Sequence, residues 1–283
     1  MNYKNVLGSL YISMLLSGCV AKLPYPEAPP TVRNGMITYS IRPDIQHEEA
    51  ILSRSKTIHS SAPIYYYQNF GGGGVAVGLM FGPMGVLGNM AMIDANTRND
   101  AEALAGKIAP NPIHMTQALA LLSPNLTPAG TTAEGFQLSP YLMIVKGEND
   151  MLHFTTSIEA TAGHWIGRYS SHIDFKRSLK QVTAGLDSSE AELLKASMED
   201  GFKQALALFE RDAAGELVAT QEITLYTESL SPRFNNALLV KRVQEDEANI
   251  TVLGLGAAET FPDLLSSGYH RLRKSESRIG VVN

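Results

Sequence analysis

Residues 140–175 read "PYLMIVKGENDMLHFTTSIEATAGHWIGRYSSHIDF", and their alternation decides the fold class. "PYLMIVK" and "MLHFTTSIE" are strand-like runs joined by the turn residues "GEND", which makes a hairpin. In the second run Leu152, Phe154 and Ile158 share one face, while His153, Thr155 and Glu159 share the other, the pattern of a strand packed on a core. After "ATAG", Trp165, Tyr169, Ile173 and Phe175 fall in phase, opposite His164, Arg168, His172 and Asp174. A turn over Ala160–Gly163 that pairs Glu159 with His164 sets His153 diagonally across from His172, within reach of longer side chains. Two imidazoles beside Asp174 suit a metal or an acid–base pair. The same row is also what the solvated face of a half-buried sheet looks like.

Toward the C-terminus the period changes to that of a helix. Ser189 and Glu192 have capping-box spacing, and Leu194, Met198, Phe202, Ala205 and Phe209 draw one apolar stripe. Glu199 and Lys203 stand on the exposed side, and Gly215 ends the element. "ELVATQEITLYTE", "NALLVKRV" and "ANITVLGL" supply further strands, and "TFPDLLSSGYHRLRK" reads as a terminal helix with Thr260 as cap and Pro262 in its first turn. Arg271, Arg273, Lys274 and Arg278 then form a basic end that reads as a solvated face. The expectation for 131–283 is an α+β domain, a mainly antiparallel sheet of about six strands with helices on one face.

Toward the N-terminus, 36–130 contains "MITYSIR" and "PIYYYQNF" as strands, "DIQHEEAILSRSK" as a short helix, and Asp94 to Ile108 as a helix. Between them, 68–93 holds no charged side chain: "QNFGGGGVAVGLMFGPMGVLGNMAMI". Gly71, Gly73 and Ala76 fit a relaxed dinucleotide fingerprint, but the helix that should follow has no polar outer face and meets Pro83. Gly74, Gly78 and Gly82 recur every four residues and form a ridge where backbones approach closely. Each arm on either side of "FGPMG" is about ten residues, half a bilayer core, so the expectation is an apolar helical hairpin, buried in the protein or dipping into one leaflet. The spacing is similar to the glycine-zipper segments of some bacterial envelope proteins. Met80, Met84, Met90 and Met92 read as packing filler, not as copper ligands.

The first residues are a leader: Lys4 precedes an apolar stretch from Val6 to Ser17 that is too short to span a bilayer. "LSGC" at 16–19 resembles the lipobox of bacterial lipoproteins. The resemblance implies diacylglyceryl transfer to the Cys19 sulfur, cleavage before Cys19, acylation of the new amino group and, with Val20 after the cysteine, an outer-membrane destination facing the periplasm. This divides the chain into a signal peptide at 1–18, a tether at 19–35 stiffened by Pro24, Pro26, Pro29 and Pro30, and the two regions above. Cys19 is the only cysteine, which excludes an internal disulfide and, once lipidated, thiol catalysis or a cysteine metal site.

The formal net charge of −5 falls to about −6 without Lys4, which argues against a nucleic-acid partner. The sequence has no nucleophile elbow, zinc-protease helix or calcium loop, and Ser53–Lys56 matches S-x-x-K without a K-T-G partner. The reading is therefore a lipid-anchored envelope lipoprotein that binds or scaffolds other envelope components or itself, without enzymatic activity, cofactor or metal. Two alternatives stay open: a lipid-tethered hydrolase or metal-dependent enzyme using His153, His172 and Asp174, and an oligomeric membrane insert built on the glycine run.

Overall fold

The computed structural model describes residues 39–42, 55–59, 63–68, 82–108, 126–127, 135–230, 237–255 and 267–281. Its centre is the hairpin region read above: β5 (Phe136–Lys146), β6 (Met151–Ala162) and β7 (Trp165–Ser178) are consecutive antiparallel neighbours. The turn between β5 and β6 places Asn149 and Asp150 at positive φ, where short polar side chains are the best tolerated after glycine.

The sheet is larger than six strands and is not purely antiparallel. β1 (Tyr39–Ile41), β2 (Ser55–His59), β3 (Ile64–Tyr67) and β4 (Leu126–Thr127) join at one end, and β8 (Glu222–Tyr226), β9 (Leu238–Glu245), β10 (Asn249–Leu255), β11 (Ser267–Arg273) and β12 (Arg278–Val281) at the other, giving a twelve-stranded mixed sheet. β1 and β3 lie in tandem on the free edge of β5, both parallel to it, with Tyr39 opposite Phe136 and Ile64 opposite Leu142. β11 runs parallel to β7, with Tyr269 opposite Tyr169. Short, widely separated strands made these parallel pairings invisible to local patterning.

The expected terminal helix is also replaced: from Ser267 the segment is β11, antiparallel to β10 along its whole length. Gly268 explains part of this. Its φ is +93°, and a Cβ there would strike the Arg168 carbonyl oxygen, so the chain comes alongside β7 at a point that only glycine fits. Tyr269 then stacks on Tyr169, with ring centroids 5.6 Å apart.

Three described helices pack on one face of the sheet. α1 (Gly82–Ala105) buries Ala101 and Leu104 against Ile58, Ile64 and Tyr66, α2 (Leu179–Ala184) buries Val182, and α3 (Ser188–Ala213) buries the apolar stripe. α3 is capped by Asp187 with Glu190 as its reciprocal partner, two residues earlier than Ser189 and Glu192. Phe209 of α3 sits amid Tyr39, Phe136 and Tyr169 in edge contacts with centroids 5.9, 5.1 and 5.5 Å away, a geometry favoured by the ring quadrupoles.

α1 corrects the hairpin expectation. The turn anticipated at "FGPMG" is the first turn of a continuous helix that starts at Gly82, where Pro83 is tolerated because its missing N–H has no partner to lose. Gly74 and Gly78 lie outside the described residues, as do Cys19, the tether and residues 44–54 of the short helix expected over 44–56, whose last two residues, Ser55 and Lys56, belong instead to β2. Among the described residues no helix is long and apolar enough to cross a membrane.

Candidate functional site

The face of the sheet opposite the helices carries the chemistry. Odd-numbered residues of β6 and even-numbered residues of the first part of β7 alternate onto it, so the cross-strand pairs from Thr155–His172 to Glu159–Arg168 are polar with polar. Glu159, fully buried, pairs with Arg168 at 3.1 Å, and Arg168 also donates to Ser267 Oγ at 3.0 Å. Ser157 and Ser170 share a hydroxyl hydrogen bond of 2.8 Å, and Thr155 bonds His172 Nδ1 at 3.0 Å. His153 follows, 3.3 Å from Glu228 Oε2. These pairs form one polar stripe between two apolar patches, Tyr65, Tyr67, Tyr141, Met143 and Val145 on one side and the Ile223–Val240–Val252 cluster on the other.

The stripe is buried, not solvated. His153 and His172 are each 8 % exposed and His270, contributed by β11, 2 %. Burial holds the His172 imidazole well below its usual pKa, and neighbouring His270 and His153 push the same way. His153 is lowered too, mainly by burial, with the hydrogen bond it donates to Glu228 acting in opposition. Both rings are therefore neutral at physiological pH. His172 Nε2 has no hydrogen-bond partner among the described residues, and its ring lies 5.8 Å from that of His270, tilted by 44°.

The histidine row read from the sequence divides three ways. His153 and His172 come together, Thr155 standing opposite His172. His164 does not join them: the turn is tighter than expected, with Ala162 opposite Trp165 and Glu159 opposite Arg168 in place of His164, which leaves His164 exposed in the loop. Asp174 also leaves the row. A bulge in the β6–β7 register, between His153 and Thr155, re-aims it, and it is exposed and paired with Arg273 at 2.6 Å. Gly82 begins α1. His270 had been concealed in a supposed helix, and the only signal that places it on this face is the strand alternation of "SGYHRLR".

Asp174 and Arg273 belong instead to an open cleft of about 680 Å³ between α3 and the β10–β11 end, lined by Ser197, Asp200, Glu247, Arg271 and Lys274 among others. Lys274 is held by Glu245 at 2.7 Å. Arg271 makes no hydrogen bond or ion pair among the described residues, although Asp246 lies near enough to feel its charge.

A second buried carboxylate lies under α3. Asp212 accepts hydrogen bonds from Tyr169 at 2.6 Å and Tyr269 at 2.9 Å. Burial raises its pKa and the two phenols draw it back. Both donors sit in the main core beside Phe209, so this network ties α3 to β7 and β11. The chain as a whole matches no family model, no curated protein and no solved structure.

Proposed function

We propose that the protein is a lipid-anchored component of the bacterial envelope, held at the outer membrane through Cys19, that binds or scaffolds another envelope component and carries out no reaction. The observation that carries this reading is "LSGC" at 16–19, followed at once by a proline-rich tether. Two or more acyl chains make a stable anchor where one does not.

The geometry supports binding over catalysis. Catalysis by acid–base or nucleophilic groups needs a base, its orienting partner and space for a reacting atom in one place. Here Glu159 is neutralised by Arg168, Asp174 by Arg273, and the histidines are buried within the polar stripe. The cleft is wide, carries charge of both signs at its rim and keeps Arg271 available, features of a docking surface. The start of α1 adds an apolar one, since Met90 and Met92 are 53 % and 47 % exposed, and this supports contact with lipid or a partner helix.

Two arms test the reading. Metabolic labelling with a palmitate analogue should mark the wild type and not Cys19→Ser, which should leave the membrane fraction. A photo-crosslinker at Ser197 should capture one discrete envelope component in cells, and Arg271→Glu should abolish that adduct. Absence of label, or a turnover activity that needs the cleft, contradicts the proposal.

A further inference from the structure

We propose that His172, His270 and Met143 form a buried site for a soft monovalent cation, copper(I). The three side chains line one small void on the face opposite the described helices, together with Tyr141, Thr155 and Leu230. Its volume is about 10 Å³, at the lower limit for one water molecule and sufficient for a single ion drawn in by its ligands.

The ligand set follows from the geometry. Two imidazoles that share a metal at nitrogen distances of about 2.0 Å, at trigonal or tetrahedral angles, hold their ring centres between 5 and 6 Å apart. The His172 and His270 centroids are 5.8 Å apart. His172 Nε2 is buried without a hydrogen-bond partner among the described residues, an arrangement that costs free energy unless something else occupies the lone pair. Thr155 holds the opposite nitrogen, Nδ1, at 3.0 Å. With the Thr155 oxygen accepting, the proton stays on Nδ1 and the Nε2 lone pair is free, the supporting bond that metal-bound histidines habitually make. Burial keeps that ring unprotonated, as ligation requires.

The choice of cation follows from charge and softness. The void has no carboxylate among its lining residues, and of the two acids in the stripe Glu159 is paired with Arg168 and Glu228 is turned to His153. A dication would enter uncompensated at a cost that grows with the square of its charge, whereas a monovalent ion bound by neutral donors loses far less. The Met143 thioether, 5 % exposed, is a soft donor that selects copper(I) over zinc or the alkali ions. Lipid anchoring plays no part in this inference, which stands or falls separately from it.

The test is a competition titration of the purified full-length chain with bicinchoninate-bound copper(I) under anaerobic, reducing conditions. The wild type should withdraw one equivalent that Met143→Leu, close in volume and expected to fold, binds at least 10-fold more weakly, and that His172→Gln also weakens. Copper X-ray absorption of the loaded wild type should contain one sulfur scatterer that Met143→Leu loses. Because every variant keeps Cys19, any thiol-bound copper is common to all and cancels. No withdrawal of copper by the wild type means the void holds only water and overturns the site. Unchanged affinity in Met143→Leu overturns it equally, and that variant decides the matter if His172→Gln does not fold.

Discussion

Gly201→Ala and Gly88→Ala are the same substitution in two helices, and the packing predicts opposite signs. Gly88 is an exposed position of α1, where an added Cβ meets nothing within 4 Å. Alanine there gains the helix-propensity difference, about 0.8 to 1 kcal/mol. Gly201 lies mid-way along α3, where the helix presses closest to the sheet. A Cβ at that position would strike Thr156 Oγ1 and stand 2.5 Å from Ile173 Cγ2. Both obstacles are β-branched side chains of central strands with few other rotamers to adopt, and Thr156 is further fixed by its bond to the Ser171 carbonyl. Overpacking of this kind costs about 1 to 3 kcal/mol, which cancels or exceeds the propensity gain. Urea unfolding followed by far-ultraviolet circular dichroism should therefore find Gly88→Ala more stable than wild type and Gly201→Ala unchanged to about 2 kcal/mol less stable. Their separation should be about 1 to 3 kcal/mol. Equal stabilisation by both would refute the close approach of α3 to β6 and β7.

Further outcomes follow from the same packing. Phe202→Ala should cost about 3 to 5 kcal/mol and its exposed neighbour Lys203→Ala under about 0.5, measured as shifts of the urea midpoint at constant slope. Asp212→Leu should leave both Tyr169 and Tyr269 without their acceptor and destabilise the chain by about 2 to 4 kcal/mol, more than Tyr269→Phe, which leaves one phenol on the acid. The folded-state pKa of His172 lies below its unfolded value, so protons bind preferentially to the unfolded chain. Stability from this group is complete above about pH 6.5 and is lost as pH falls below it, at up to about 1.4 kcal/mol per pH unit, with His153 adding in the same direction. Thermal melts from pH 7.5 to 5 should show this slope in the wild type and a flatter one in His172→Gln.

How much of this was legible depends on how local the controlling physics is. The β5–β6–β7 faces and the α3 stripe were readable because alternation and helical spacing are properties of a few consecutive residues, and Phe154, Tyr169, Phe202 and Phe209 are buried as their phase requires. The parallel seats of β1 and β3 on β5 were not readable, since three- and four-residue strands carry no periodicity of their own and are selected by the edge they meet. β11 was misread because Leu264, Leu265, Tyr269 and Leu272 satisfy a helical period; the close approach of Gly268 to Arg168 decides the matter and is visible only in three dimensions. The polar row was seen but its membership was not. The bulge beside His172 removes Asp174, the tighter turn removes His164, and β11 brings in His270 from about 100 residues away.

The central claim is the anchor at Cys19, and intact mass spectrometry of the protein extracted from its native membrane tests it most directly. The account predicts a chain that begins at Cys19 and exceeds the mass of residues 19–283 by a diacylglyceryl group and an amide-linked acyl chain, with both modifications on the first tryptic peptide. A chain that still begins at Met1, or one that begins elsewhere with Cys19 unmodified, would contradict it.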